Sequence, residues 1–324
     1  MTAPTSDAPA RPAPDSPAQK PAQEPAKDHT LAGIALMLVG IFFFAVNDTM
    51  GKYLVGTYSV GQILLLRSAA AILFLAWFIR REGLAPFINA PRPWLQILRA
   101  VFATMEVFCF YWALTGMSLA DTMTFYLAGP IYVTAMSPFL LGEHVGWRRW
   151  LAVLVGFVGV VIALGPTGIT SGSAFSPHAL VAIAGSLMFS IFMICTRLVR
   201  GTSDVVLVTT QVIAALIFGA IAGPLTWVPV GLFDGAMLGL LGVVAMIAFL
   251  CINRSISIAP ASVVVPYQYT TIVWAVILGF IFFGDIPSTG MMLGAGVIIA
   301  AGIYIFIREQ RLAKPAAFTD PPPA

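Results

Sequence analysis

Apolar residues run through this chain in windows of about 20, the length that crosses the hydrocarbon layer of a bilayer. The windows fall at roughly 31–54, 59–79, 94–115, 119–141, 148–165, 177–198, 205–224, 232–253, 260–283 and 287–307. Turn-forming or charged stretches separate them, such as GPTGITSGSAFSP at 165–177. Such windows predict spanning helices, because lipid offers an open backbone no hydrogen-bond partner. The expected fold is an all-α integral membrane protein with ten transmembrane helices. The ends break the pattern. Residues 1–30 hold seven prolines and no apolar run, the composition of a disordered tail and not of a cleaved signal peptide. Residues 309–324 read as a second tail.

Composition agrees with the pattern. The 324 residues are 59% hydrophobic and 10% charged, with a mean hydropathy of +0.92, where a soluble domain carries about a quarter of its residues charged. Cys109, Cys195 and Cys251 lie inside apolar runs without ligand spacing, so they read as small apolar residues. The net charge of +3 acquires meaning only through placement. With the N-terminus inside, 14 of the 17 Lys and Arg fall on inner segments and the outer loops hold none. The other three, Lys52, Arg67 and Arg99, lie within helices. This bias is the positive-inside rule, and it places both termini in the cytoplasm.

The chain also repeats itself. ALTGMSLAD (113–121) aligns with SISIAPASV (255–263), LGE (141–143) with FGD (283–285) and Cys109 with Cys251, all at an offset of 142. Gly40, Phe44 and Lys52 match Gly185, Phe189 and Arg197 at an offset of 145. A duplicated unit of five helices, an odd number, inserts its copies in opposite directions. The expected organisation is two inverted repeats, 31–165 and 177–308, a plan of secondary transporters that bind substrate where the halves meet. The repeat also accounts for Lys52, the counterpart by inversion of Arg197 at an inner helix end.

The two halves, the LGEHVGWRRW loop (141–150) with Gly156 and Gly159 after it, and FFGD (282–285) with Gly294 and Gly302 resemble the drug/metabolite transporter superfamily. More narrowly, the chain is similar to its ten-helix EamA-type bacterial members over about residues 31–308. The resemblance implies a bacterial inner-membrane secondary transporter with a central cavity formed by both halves. Its substrates range over amino acids, amines, nucleosides, sugars and vitamins.

Within the predicted membrane, FFFAVNDTMGKYLVG (42–56) carries Asn47, Asp48 and Lys52. Asp48, Arg67 and Glu106 lie about 8–14 Å below the outer ends of the first three helices at 1.5 Å per residue. An unpaired central charge costs about 2.5–3.5 kcal/mol, so pairing or a wet cavity is required. Arg67 is the expected partner of Asp48 or Glu106, with Lys52 one turn from Asp48. The carboxylates are candidate proton or substrate sites, or else a charge cluster tying three helices together. Arg99 is expected to snorkel to the inner interface. Glu143 and Asp285, beside helix starts, are explained by capping and the helix dipole. DTMTFYLAGP (121–130) and VVVPYQYTTIVW (263–274) add rings, amides and prolines. Phe125 and Tyr126 correspond there to Tyr267 and Gln268, and these four are expected to line one cavity. Prolines 130, 138 and 266 should interrupt the helical hydrogen bonds around them.

A transporter of a small heterocyclic or aromatic metabolite of low net charge, such as riboflavin or an amino acid, fits these features. Partners are then the bilayer, the solute and a proton as candidate coupling ion. No nucleic acid, cofactor or metal is expected, and oligomeric state is open. A membrane enzyme, channel or receptor is the alternative. An enzyme lacks support because His29, His144 and His178 lie in tail or loops, and no phosphate-binding glycine loop occurs.

Overall fold

The computed structural model describes residues 27–83, 85–88, 90–142, 146–164, 176–199, 202–259 and 261–313. Glu143 and His144 lie outside them, as does most of the 165–177 turn. No strand occurs among the described residues. The principal helices are α1 (Lys27–Val55), α2 (Val60–Glu82), α3 (Pro93–Leu114), α4 (Leu119–Tyr126), α5 (Gly129–Leu140) and α6 (Trp147–Leu164). They continue as α7 (Pro177–Leu198), α8 (Asp204–Ala222), α9 (Leu232–Ile258), α10 (Thr271–Phe283) and α11 (Thr289–Ala313). Single turns of helix lie at Ala85–Ile88 and Ala261–Val264, and 3-10 turns at Gly223–Thr226 and Val265–Thr270.

Local chemistry explains the boundaries. Ser59, Ser118 and Ser176 each accept a backbone N–H from the first turn of the helix that follows, supplying an acceptor to an unpaired helix donor. Pro93 and Pro177 open α3 and α7, where a missing N–H costs nothing. Gly284 closes α10 with φ of 68°, a left-handed conformation that favours glycine.

Among the described residues seven helices are long and apolar enough to cross a membrane, with shorter apolar stretches at Trp150–Ala163 and Tyr267–Phe283. Two expected spans are not continuous. The window 119–141 breaks between α4 and α5 just before Pro130, and 260–283 passes through the 3-10 turn containing Pro266 before α10 begins. A proline has no N–H to donate and its ring crowds the preceding turn, so the regular ladder stops there. Pro138 remains inside α5, two residues from its end.

The helices associate chiefly in four pairs: α1 with α9, α3 with α7, α2 with α8 and α6 with α11. One apolar core gathers Phe125, Ile131, Val153 and Ile298, and a second gathers Leu54, Ile63, Leu64, Tyr111 and Leu241. Large apolar side chains also cover the outside, with Phe139 and Leu225 both 80% exposed. Where lipid faces both sides of a helix, association depends on close backbone approach and not on apolar burial. The α6–α11 contact is the clearest case. A Cβ on Gly294 would lie 2.6 Å from the Ala163 nitrogen and 2.6 Å from the Gly159 carbonyl oxygen. Gly294→Leu should therefore separate α6 from α11 and destabilise the protein by about 1–3 kcal/mol. Thermal unfolding in detergent checks this, with the exposed Gly296→Leu as the mild control.

Candidate functional site

Three helices supply the charges of the candidate site. α1 carries Asn47, Asp48 and Lys52, α2 carries Arg67, and α3 carries Glu106 and Tyr111. The Arg67 guanidinium donates to the Tyr111 hydroxyl at 2.7 Å and lies over the same ring, 5.5 Å from its centroid. That hydroxyl donates to Asn47 Oδ1 at 3.4 Å, and Asn47 Nδ2 donates to the Leu241 carbonyl of α9 at 2.6 Å. A single chain of donors thus links α2, α3, α1 and α9. Asn47 and Tyr111 are 3% and 1% exposed.

Asp48 and Glu106 are half-buried beside this chain and lie within electrostatic reach of each other and of Arg67. Two carboxylates therefore face one guanidinium, and that guanidinium already gives one of its donors to a neutral phenol. An arrangement with more acceptors than cations can hold a proton or the cationic end of a solute. Tyr126, at the end of α4, closes the other side: its hydroxyl donates to the Glu106 backbone carbonyl at 3.1 Å, and its ring meets Phe110 and Phe189.

Other expected residues are placed differently. Lys52 pairs with Asp285 across the bundle, not with Asp48 one turn away. Asp285 accordingly serves an ion pair with α1, beyond the helix-end role read from its position. Arg99 does not snorkel: it is 2% exposed and donates to the Leu207 carbonyl and, at 3.4 Å, to the Thr210 hydroxyl. It pins α3 to α8, with the Phe192 ring 5.4 Å away. The four residues expected around one cavity are not gathered together. Phe125 is 1% exposed in the α5–α6–α11 core, Tyr126 borders the second core, and Tyr267 packs near Met37 and Ile41. Gln268 is exposed on the 3-10 turn. Repeat-related positions coincide in a pocket only if both occupy the same helix face. The 3-10 turn rotates Tyr267 and Gln268 relative to a continuous helix.

Tyr111 is a site residue that charge and repeat spacing do not mark. Its signal was a phenol inside the apolar run VFCFYWAL, where a buried hydroxyl requires a partner. Among the described residues no three His, Cys, Asp or Glu are grouped to hold a metal. An open cleft of about 360 Å³, lined by Val55, Tyr58, Phe108, Trp112 and Leu225 among others, lies apart from the charges.

The sequence pattern of the EamA-like transporter family matches residues 31–165 and 176–308. The chain is 24% identical over 283 residues to the S-adenosylmethionine uptake transporter of Rickettsia prowazekii, covering 87% of this chain and 94% of that one. It is 28% identical over 244 residues to the riboflavin transporter of Rhizobium johnstonii, covering 74% and 79%. With the pseudopaline exporter CntI of Pseudomonas aeruginosa it shares 24% identity over 278 residues, covering 85% and 95%. A solved crystal structure with 19% identity superposes with a TM-score of 0.56 over 88% of this chain and 99% of its own, a likeness of fold. With both stretches matched and the helical bundle in place, the chain belongs to the EamA-like transporter family and is a multi-pass membrane protein.

Proposed function

We propose that this transporter moves a small heterocyclic or aromatic metabolite of low net charge across the bacterial inner membrane by alternating access. The observation that carries the reading is the half-buried set of Asp48, Glu106 and Arg67, three ionisable groups where α1, α2 and α3 meet. Intramembrane charges are expensive and mark solute or proton paths. Glu106 is the coupling or substrate-binding carboxylate, Asp48 its neighbour, and Arg67 the counter-charge held by Tyr111. Tyr126 contributes a ring beside Glu106. Two named relatives carry S-adenosylmethionine and riboflavin, and both solutes contain a fused heterocycle, which a flat ring can stack against.

The same proposal includes ten spans in two inverted halves, 31–165 and 177–308, with both termini cytoplasmic. Helix pairing supports it. Inversion exchanges α1 with α7 and α3 with α9, so the pair α1–α9 maps onto α7–α3, and both pairs occur. The matched residues meet as well: a Cβ on Gly40 would lie 3.2 Å from Cys251 Cβ, and one on Gly185 would lie 2.8 Å from Cys109 Cβ. Those are the glycines and cysteines aligned by the internal repeat.

Four outcomes are expected. Proteoliposomes should take up labelled riboflavin or S-adenosylmethionine saturably. Inert vesicles would count against transport of these solutes, and non-saturable flux would indicate a channel. Glu106→Gln should insert normally yet lower uptake at least about tenfold, the loss of one positioned charged partner. Asp48→Asn should lower it less. pH-dependent uptake that persists in Glu106→Gln would remove that residue as a proton site. Tyr111→Phe deprives the Arg67 guanidinium of its acceptor and should cost about 1–3 kcal/mol in thermal unfolding. Finally, impermeant reagents applied outside should label cysteines at 166–176 and spare those at 82–91.

A further inference from the structure

Lys52 lies one turn beyond Asp48 on α1, between the buried charges and the end of the bundle that carries Val55. Its ammonium pairs with Asp285 in the turn between α10 and α11, the two side chains being 13% and 24% exposed. It also lies 4.5 Å from the centroid of the Phe283 ring. The pair therefore joins α1, early in the chain, to the turn before the last helix.

A second carboxylate stands beside the first. Asp121 occupies the first turn of α4; the Ser118 hydroxyl serves its carboxylate, but Oδ1 is buried without a hydrogen-bond partner among the described residues. Gly279 on α10 locates the neighbourhood. A Cβ there would lie 3.9 Å from Asp285 Oδ2 and 3.9 Å from Leu119 Cβ, so the start of α4 and the Asp285 carboxylate adjoin one point. Asp121 is within electrostatic reach of both Lys52 and Asp285. A buried acceptor left without a donor is unfavourable. Lys52, a mobile point charge on a four-carbon stem, already donates to Asp285 and lies within electrostatic reach of Asp121.

We propose that Lys52 passes between Asp285 and Asp121 during the transport cycle and so controls whether α1 is held against the α10–α11 turn. Paired with Asp285, it clamps α1 to the α10–α11 turn, as in this structure. Paired with Asp121, it bonds within the first half and releases that turn. The ammonium keeps a carboxylate in both states, so neither requires a bare cation. Lys52 is then a positioning residue: it sets the balance of two conformations and does not touch the solute. The inference rests on the alternating-access reading above.

The test uses the full chain with its three native cysteines replaced by alanine and a reporter, Met50→Cys, between Asp48 and Lys52. The readout is its labelling rate by an impermeant maleimide. Asp121→Asn removes the alternative partner and should slow labelling about five- to tenfold, while Asp285→Asn removes the clamp and should speed it similarly. The reciprocal exchange Lys52→Asp with Asp285→Lys should return labelling toward the parent rate, which also guards against misfolding of a single variant. Shifts in one direction for both carboxylate variants, or no shift in either, overturn the proposal, as does failure of the exchange to restore the rate. Uptake by the unsubstituted protein is measured separately. Opposite labelling shifts without uptake would retain the switch and reject transport, whereas uptake without them would reject the switch.

Discussion

A guanidinium inside a hydrocarbon layer has to be answered by the protein, because neither lipid nor bulk water can do so. Arg67 meets this demand through Tyr111, and Tyr111 passes it through Asn47 to the Leu241 carbonyl. Four helices are fixed relative to one another by that sequence of donors. The placement of Asp48 and Glu106 follows from it, since both must lie near enough to Arg67 to share its charge. A neutral residue at position 67 would leave the Tyr111 phenol without its charged partner.

Backbone contacts provide the remaining cohesion. Apolar surface drives little association when the surroundings are equally apolar, so the bundle depends on small residues that let helices approach. Gly159 with Gly294 joins α6 to α11, while Gly40 with Cys251 joins α1 to α9. Arg99 adds a polar pin between α3 and α8, and Gln62 exchanges two hydrogen bonds with Val228 near the start of α2. Against these fixed contacts, the interrupted helices around Pro130 and Pro266 are where the backbone departs from regular bonding. Breaks of this kind are tolerated inside a membrane protein where neighbouring helices satisfy the released groups.

Hydropathy alone determined the helical, membrane-spanning character of the chain, since runs of about 20 apolar residues leave few other structures that satisfy the backbone. Sequence also singled out Asp48, Arg67 and Glu106, because charge in such runs is conspicuous and helical rise gives its depth. Three assignments needed the tertiary structure. Lys52 has Asp48 four residues away, yet its partner is Asp285, and which carboxylate it meets depends on how α10 packs against α1. Arg99 is close enough to a helix end to snorkel, but α8 covers that route and supplies a carbonyl instead. Phe125, Tyr126, Tyr267 and Gln268 align by repeat, but the first two lie on a regular helix and the last two on a 3-10 turn, so the aligned positions do not share a face. Linear spacing encodes depth and periodicity; which faces meet is decided by packing among distant helices.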